Sequence, residues 1–279
     1  MLKTMVVNDI LAFIEEKLES ELRIETIVEY SGYGRRYTQT LFKKYVRLPI
    51  GQYIRERRLT RAAMLLHLTQ MPLIDIALRF QFDSQQSFSR EFKKLTGSTP
   101  LQYRRSEQWD FRHLLPSRTI NEKTPAPLEV KLIAGGDIFG FCVSREEELF
   151  SRGSKYRLGY IMRQLAREDG GSVWCLTRAT SGEALFDTMM LRTAIGQVDK
   201  DKHLLQTRYS YQHGWYAHFR FCGREDEYAE FTTNVYLQLM PVYQLTRAAG
   251  ADLEIFSLDR DMLICEYYVP VISDSSDRG

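Results

Sequence analysis

Residues 83–105 read DSQQSFSREFKKLTGSTPLQYRR, a stretch in which aromatic residues alternate with polar and basic ones. At 3.6 residues per turn, a helix from Ser84 to Leu95 places Phe88, Phe92 and Leu95 on one side. The other side of the same helix carries Gln86, Ser89, Arg90 and Lys93. The stretch therefore predicts an amphipathic helix with an apolar side for packing and a polar, basic side for solvent or a ligand.

The residues before this helix complete a recognisable unit. Asp83 is expected to cap its start, with Gln86 three residues later closing a capping box. A shorter helix, PLIDIALRF, precedes it and is expected to supply Ile74, Ala77 and Leu78 for packing. Two short helices joined by a tight turn predict a helix-turn-helix. In the major groove Gln can pair with adenine and Arg with guanine, while Lys neutralises phosphate.

The same unit occurs twice, at an offset of 50 residues. The offset pairs Ile24 with Ile74, Tyr30 with Phe80, Phe42 with Phe92, Lys43-Lys44 with Lys93-Lys94, and Tyr53 with Tyr103. A helix from about Gly34 to Val46 again has an apolar side, formed by Leu41, Phe42 and Tyr45, and a polar side with Arg36, Gln39, Thr40 and Lys43. Either helix alone fits an ordinary amphipathic helix with a solvated face. Two of them in one repeat favour a pair of DNA-reading helices.

The charge of the chain is divided along its length. The net charge of +2 hides an excess in residues 30–118, which hold 17 basic and 6 acidic side chains, 17 − 6 = +11. Residues 121–279 hold 18 basic and 23 acidic side chains, 18 − 23 = −5. A local excess of this size indicates a polyanionic partner, and double-stranded DNA is the first candidate.

The pattern of apolar and polar residues changes near residue 110. The helical pattern of residues 1–110 gives way to a linker over residues 111–126, with Pro125 near its end and Pro127 directly after it. Beyond it, VWCLTR, YAHFRFCG and MLICEYYVPVI are typical of strands, with two helical stretches between them. FCVSREEEL from Phe141 is echoed by FCGREDEY from Phe221. The prediction is an all-α double helix-turn-helix domain followed by an α+β domain over residues 127–279 with a duplicated β-α-β-β unit.

Residues 5–107 resemble the DNA-binding domain of the AraC/XylS family of transcriptional regulators. The resemblance rests on Ala77, Phe82, Phe88, Phe92, Lys93, Gly97, Pro100, Tyr103 and Arg104. The family commonly has glycine at the position where this chain has Gln81. In this departure the chain resembles the Rob, MarA and SoxS branch of the family. The resemblance implies a transcriptional activator that inserts two recognition helices into successive major grooves and recruits RNA polymerase. It also implies that the helix over residues 51–68 holds the two helices roughly 34 Å apart.

The resemblance carries over unevenly to individual residues. Gln85, Gln86 and Arg90 match the second recognition helix of the branch, and Gln39 matches the first. Arg36 replaces a tryptophan and Thr40 replaces an arginine, so the target sequence cannot be transferred from the branch. The predicted DNA-contacting residues are Arg35, Arg36, Gln39, Thr40, Lys43, Gln85, Gln86, Ser89, Arg90, Lys93, Lys94 and Arg104.

The second domain is similar to GyrI-like domains, a resemblance that rests on YAHFRFCG, YLQLMPVY and CEYYVPV. It implies a groove for an amphipathic or cationic small molecule beside a buried glutamate. Glu266 matches that glutamate, with Tyr268 on the same face and Trp215 and Tyr216 as wall residues. Three alternatives stay open: a solvent-facing Glu266, a groove that serves only stability or partner contacts, and a GyrI-like hydrolase using Glu266 and Tyr268.

Several functions are disfavoured by what the sequence lacks. No run approaches 18 apolar residues, and the N-terminal residues do not resemble a signal peptide, so neither a membrane partner nor export is expected. The four cysteines are far apart and suit the reducing cytosol. The histidines form no metal or catalytic pattern, so no cofactor and no enzymatic activity are expected. A non-specific architectural DNA-binding protein remains the alternative to a sequence-specific regulator.

Overall fold

The computed structural model describes residues 2–120, 127–149, 155–167, 171–198 and 206–272. The chain forms two compact units. The first comprises Met1–Leu66, Met71–Arg105 and His113–Ala126. The second comprises His67–Gln70, Ser106–Arg112 and Pro127–Gly279.

The N-terminal part of the chain is helical. Its helices are α1 (Leu2–Glu16), α2 (Ile24–Ser31), α3 (Arg35–Val46), α4 (Ile50–Leu68), α5 (Leu73–Arg79), α6 (Gln85–Thr96) and α7 (Pro100–Arg105). The second half of α4 reads RAAMLLHL, in which alanine, methionine and leucine have high helix propensity. These side chains are buried along almost the whole circumference, which suits a helix at the centre of a unit.

The predicted repeat is present in the structure. Helices α3 and α6 begin 50 residues apart and both contain 12 residues, and α4 and α7 also begin 50 residues apart. Phe42 and Phe92 are both fully buried, and each packs edge-to-face on the tyrosine 11 residues later, Tyr53 or Tyr103. The ring centroids are 5.6 Å apart in the first pair and 5.2 Å in the second. Both helices are thus anchored by the same aromatic contact.

One packing prediction for the second repeat is wrong. Ile74 and Leu78 were expected to pack under α6, but they are 44% and 58% exposed. The packing side of α5 consists instead of Ile76, Ala77 and the following Phe80, all fully buried. Residues four apart share a helix face, so the burial of Ile76 and Phe80 leaves the pair Ile74 and Leu78 outside the core.

The segment predicted as a linker, residues 111–126, is divided between the two units. Leu115 is buried in the core of the first unit, where its N–H donates to Thr60 at 3.1 Å and its carbonyl accepts from Arg57. Ile120 exchanges two hydrogen bonds with the Asn8 side chain, at 2.6 and 3.0 Å. Residues 121–126 lie outside the described residues. Residues 113–120 are therefore an integral part of the first unit.

The second unit is built on antiparallel sheets. A two-stranded sheet pairs β1 (Trp109–Asp110) with β8 (Thr246–Arg247). The large sheet has the order β2-β7-β10-β9-β4-β5-β3-β6. Its strands are β2 (Glu129–Ile133), β3 (Gly136–Glu148), β4 (Val173–Ser181), β5 (Thr188–Gln197), β6 (Thr207–Tyr211), β7 (Gly214–Gly223), β9 (Asp252–Asp259) and β10 (Met262–Pro270).

The order of the large sheet is symmetric about its centre. Helix α8 (Lys155–Leu165) follows β3, and a helical segment that includes α9 (Tyr228–Asn234), a π-helical turn (Val235–Leu239) and α10 (Met240–Val242) follows β7. The two halves, β3-α8-β4-β5 and β7-α9-β9-β10, meet where β4 pairs with β9. The predicted duplication of a β-α-β-β unit is therefore present. In addition, the short strands β2 and β6 each pair with the long strand of the other half.

Both faces of the large sheet carry apolar side chains. Helices α8 and α9 supply Arg157 and Tyr228 to one face, where they contact Glu254. The opposite face carries an apolar cluster centred on Leu176 and Leu253, which are direct cross-strand neighbours. When both faces of a sheet are apolar, the alternation of residues along a strand does not show which face a polar residue occupies. The sequence therefore does not assign a face to the glutamates of the second unit.

Candidate nucleic-acid interface

The turn between α2 and α3 is held by hydrogen bonds that fix the direction of α3. Gly32 ends α2 with φ of 69°, a left-handed conformation that glycine adopts without steric cost. Within the turn, the buried Thr38 hydroxyl donates to the Gly34 carbonyl at 3.2 Å and lies 3.0 Å from the Ser31 hydroxyl. The short turn and these side-chain contacts give the first helix-turn-helix a defined geometry.

Helix α3 has the two faces that its sequence predicts. Leu41 and Phe42 are buried and Tyr45 is half-buried. The opposite face is exposed along the whole helix and carries Arg35, Arg36, Gln39, Thr40 and Lys43. Arg35 forms an exposed ion pair with Glu25 at 2.9 Å. The face therefore presents amide, hydroxyl and guanidinium groups in a row to whatever approaches α3.

The charges at the ends of α3 are arranged unevenly. Arg35 and Arg36 stand in the first turn, without an acidic residue or a side-chain cap there. Cations at a helix N-terminus oppose the helix dipole, at a cost of about 0.3–1 kcal/mol each. Lys43 and Lys44 in the last turn interact favourably with the dipole. The lysines thus stabilise the helix, whereas the arginines oppose its dipole.

Helix α6 begins differently from the prediction. Ser84, and not Asp83, is its N-cap: the Ser84 backbone is extended, and its hydroxyl accepts from the Ser87 N–H at 3.1 Å. Both residue types cap helices well, so the backbone geometry decides between them. The predicted box between Asp83 and Gln86 is therefore wrong. Gln86 is left fully available on the exposed surface of the helix.

The outer face of α6 matches the predicted composition. Phe88 and Phe92 are fully buried and Leu95 is half-buried. The exposed residues are Gln85, Gln86, Arg90, Lys93 and Lys94, and Ser89 beside them is half-buried. All the residues predicted for the second recognition helix thus lie together on this face or along its margin.

The turn before α6 explains the family preference for glycine at Gln81. Gln81 has φ of 60°, in the left-handed region where a side chain is strained. Its side-chain amide donates to the Glu19 carbonyl at 2.9 Å. Phe82 then packs edge-to-face on Phe88, with ring centroids 5.4 Å apart. The glutamine keeps the turn that a glycine would form and adds a hydrogen bond to the segment between α1 and α2.

Arg104, one of the predicted DNA-contacting residues, has its guanidinium bound within the first unit. Its guanidinium donates to the Leu66 carbonyl at 3.1 Å and to the Met71 carbonyl at 2.6 Å. Partial burial lowers the pKa of Arg104. Carbonyls at the end of a helix lack intrahelical partners, and an arginine can satisfy them. Arg104 therefore ties α7 to the end of α4, and its neighbour Arg105 is the exposed arginine there.

Helix α4 is locked into the first unit by a buried ion pair. The Arg57 side chain is 1% exposed and donates to both oxygens of Glu15, at 2.7 and 3.0 Å. Burial alone would raise the pKa of Glu15, but the charges of Arg57 and Arg61 and hydrogen bonds from Arg57 and Tyr53 lower it overall. This pair fixes α4 to α1 within the first unit.

Glu266 in the second unit is partly buried, and its carboxylate already has polar partners. It lies 2.5 Å from His218 Nε2 and 3.1 Å from Arg220 Nε. Tyr268 stacks on His218, with ring centroids 4.7 Å apart. Lys131 and Glu129 extend the polar cluster, since Glu129 accepts from Lys131 at 2.8 Å and lies 3.0 Å from His218 Nδ1. Glu266 is thus part of an ion-pair network and not an unpaired carboxylate among apolar groups.

The two predicted wall residues do not share a surface. Trp215 and Tyr216 are successive residues of β7, and successive residues of a strand point to opposite faces. Tyr216 lies on the face of Glu266, but it pairs with Pro270, whereas Arg220 pairs with Glu266. The Tyr216 ring is buried and its hydroxyl donates to the Gln212 carbonyl at 3.0 Å. The prediction that both line one groove at Glu266 is wrong.

The sequence analysis missed the glutamate that is fully buried. Glu254 is 0% exposed on β9 and accepts hydrogen bonds from Arg157, Thr177 and Tyr228, each at 2.5 Å. Burial alone would lower the pKa of Arg157, but the negative charge of Glu254 raises it well above its usual value. Burial and the same charge raise the pKa of Tyr228. The buried carboxylate is therefore neutralised within the protein.

The described residues contain neither a metal-ligand cluster nor a membrane-spanning helix. No group of three or more His, Cys, Asp or Glu side chains in the described ranges is placed to hold a metal ion. Among the helices of the same ranges, none has the length and apolar character needed to cross a membrane.

Comparison with known proteins agrees with the geometry of α2 to α7. Residues 27–106 match the family model described as a helix-turn-helix domain. Together with the two exposed helices, this match defines the chain as a DNA-binding protein of the helix-turn-helix class.

Full-length relatives identify the family. The chain is 38% identical over 281 residues to the F1 operon positive regulatory protein of Yersinia pestis, covering 99% of this chain and 91% of that protein. It is 29% identical over 282 residues to the right origin-binding protein of Escherichia coli (strain K12), covering 95% and 98%. It is 43% identical over 105 residues to the HTH-type transcriptional activator AarP of Providencia stuartii, covering 38% and 78%. The chain belongs to the AraC/XylS family of transcriptional regulators.

Proposed function

We propose that the protein is a sequence-specific transcriptional activator that places α3 and α6 in successive major grooves of its target DNA. One observation carries the proposal: two helices 50 residues apart share one anchoring contact, Phe42 on Tyr53 and Phe92 on Tyr103, and both expose a polar, basic face. A duplicated scaffold with matching exposed faces is suited to two similar surfaces one helical turn apart, roughly 34 Å on DNA.

The exposed residues divide into two chemical roles. Base edges in the major groove would be read by side chains with paired donors and acceptors or a planar guanidinium. These are Arg36, Gln39 and Thr40 on α3 and Gln85, Gln86 and Ser89 on α6, while Arg90 can reach either a guanine edge or the phosphate beside it. Phosphates would be neutralised by the flanking cations Arg35, Lys43, Lys93 and Lys94. Arg104 is left out of this set because its guanidinium is bound to backbone carbonyls.

Activation is proposed to proceed through recruitment of RNA polymerase. The names of two relatives, a positive regulatory protein and a transcriptional activator, support a positive effect on transcription. A chain that occupies only two grooves leaves much of its own surface accessible to a second protein at the promoter.

The test combines binding with transcription. Sites bound in the genome are mapped first, and the affinity for a selected site is compared with that for a scrambled duplex of equal length. A specific regulator should prefer its site by a factor of roughly 10³ or more. Transcription from the same promoter with purified RNA polymerase should rise when the protein is added. Equal affinity for both duplexes would instead favour a non-specific architectural role.

We extend the proposal to the second unit in one respect: an amphipathic or cationic small molecule would bind near Glu266 and Tyr268 by competing with Arg220 for the carboxylate. The support is the partial burial of Glu266 beside the stacked Tyr268 and His218 rings. Tetraphenylphosphonium, a lipophilic cation, serves as the probe. Saturable binding by the wild type that Glu266→Gln removes is the expected result, and the absence of saturable binding by the wild type contradicts it.

A further inference from the structure

A polar cleft of about 370 Å³ lies in the first unit between α4 and α6. The small residues Gly51 on α4 and Ser87 on α6 are among those that line it, and their small size leaves space between the two helices. An added side-chain carbon at Gly51 would meet nothing within 4 Å. The cleft therefore opens beside the exposed face of α6, whose Arg90 is also one of its lining residues.

Charged groups dominate the lining of this cleft. Three arginines, Arg55, Arg58 and Arg90, and two carboxylates, Asp83 and Glu91, line it. The Arg58 guanidinium is already bound, because it donates to the carbonyls of Leu18 at 2.8 Å and Ser20 at 2.7 Å. The other two arginines of the lining are Arg55 and Arg90.

Arg55 and Arg90 converge on the same acid. Arg55 Nη1 lies 3.9 Å from one oxygen of Glu91, and Arg90 Nε lies 3.6 Å from the other. The arginine side chains are 56% and 76% exposed. The Glu91 side chain is 21% exposed, but both pairs are longer than a hydrogen-bonded ion pair, so neither arginine holds the carboxylate tightly. An anion with better geometry can therefore displace Glu91 at small cost.

The arrangement is peculiar to the second repeat. The position 50 residues before Glu91 is Leu41, which is buried in the apolar core. The position before Arg90 is Thr40, which cannot form an ion pair. Glu91 is thus not required by the shared scaffold of the two units. Among the described residues, the ion-pair partners of its carboxylate are Arg55 and Arg90.

We propose that this cleft binds a phosphate of the DNA backbone through Arg55 and Arg90, in competition with Glu91. The inference rests on the proposed function, since it requires α6 to face DNA. The phosphate supplies oxygens for both guanidiniums, and arginine binds phosphate through several N–H groups at once. Glu91 repels the same phosphate. Its charge therefore holds the affinity for every DNA sequence below the value that the two arginines alone would give.

The test measures binding of the full-length chain to a selected site and to a random duplex over a range of salt concentrations. Glu91→Gln should tighten binding to both duplexes by the same factor, roughly 3- to 10-fold at low salt. Arg55→Gln should weaken both and lower the slope of log affinity against log salt by about one unit. In the Arg55→Gln background, the gain from Glu91→Gln should shrink.

Glu16→Gln is the matched control, because it removes the same charge from an exposed position on α1 that pairs with Lys17. Equal melting temperatures of the variants would show that folding is not the cause of an altered affinity. A Glu91→Gln gain no larger than that of Glu16→Gln, or a loss of affinity, overturns the proposal. If the wild type does not distinguish the two duplexes, the proposed sequence-specific function fails. The effect of Glu91→Gln on binding to the random duplex still shows whether the cleft binds a phosphate.

Discussion

Arg47 and Gly97 follow the two exposed helices at equivalent positions, 50 residues apart, and both have left-handed backbones with φ of 66° and 78°. Each backbone N–H donates to the carbonyl of the lysine four residues earlier, Lys43 or Lys93. The repeat therefore demands one conformation at both helix ends. Glycine adopts it freely, whereas arginine adopts it at a steric cost.

This relationship predicts opposite effects of two substitutions on stability. Arg47→Gly should raise the free energy of unfolding by on the order of 0.5–1 kcal/mol, because relief of the left-handed strain exceeds the added chain entropy. Gly97→Ala should lower it by about 1 kcal/mol, since open space around Gly97 leaves only the backbone conformation to oppose a side chain. Urea-induced unfolding followed by circular dichroism measures both. A loss of stability in Arg47→Gly would contradict the strain argument.

Acid should weaken the first unit through Glu15. Its folded-state pKa is lowered, so the stabilisation is complete above the usual value of 4.5 and is lost as the pH falls through the folded-state pKa. Glu15→Gln leaves the charge of Arg57 buried without its counterion, and at neutral pH it should cost on the order of 3 kcal/mol. Denaturant titrations between about pH 6 and about pH 3 should show the gap between wild type and variant closing in acid.

The control for this pH dependence is the neighbouring acid. Glu16 is exposed and pairs only with Lys17 in the described structure, so Glu16→Gln should change stability by no more than about 0.5 kcal/mol at any pH. A gap between wild type and Glu15→Gln that stays constant from neutral to acid pH would mean that Glu15 does not act through its charge.

The cysteines should separate into two reactive and two protected thiols. Burial, and after it the negative charge of Glu254, raises the pKa of Cys175 and Cys265 well above the usual value. Cys142 and Cys222 are exposed. Because the thiolate is the reactive form, a thiol reagent such as dithionitrobenzoate should modify two cysteines in the native protein and four after unfolding. Rapid modification of a Cys142→Ser, Cys222→Ser double variant would contradict the burial of the other pair.

The helical unit was predictable because a single period governs it. Phe88 and Phe92 are four residues apart and both lie on the buried face of α6, and the exposed positions recur with the same helical period on the other face. The repeat adds a second, independent copy of the pattern in α3. Two predictions about this unit were wrong because the sequence offers two similar candidates. Asp83 and Ser84 are both residue types that cap helices well. Helix α5 is too short for its period to show that Ile76, and not Ile74, faces inward.

The second unit was less predictable because its sheet is apolar on both faces. Glu254 lies between Leu253 and Ile255, and Glu266 lies between Cys265 and Tyr267, so alternation alone gives both glutamates the same description. What distinguishes them is the pairing of distant strands and the placement of Arg157 on α8 over Glu254. Those contacts join residues almost a hundred positions apart, and no local pattern encodes them.

The two proposed roles on α3 can be separated by a pair of substitutions. Arg36 stands in the first turn, exposed and without a described ion-pair partner, and Lys43 stands in the last. If Arg36 reads a base edge, Arg36→Ala should cost about 1–3 kcal/mol on the best site and relax preference at one or two base pairs. If Lys43 neutralises a phosphate, Lys43→Ala should weaken all sequences alike and lower the salt slope by about one unit. Binding-site selection from a random pool, run with wild type and each variant, reports the preferred motif directly. An unaltered motif with Arg36→Ala together with a rewritten motif with Lys43→Ala would mean that the two roles are assigned to the wrong ends of the helix.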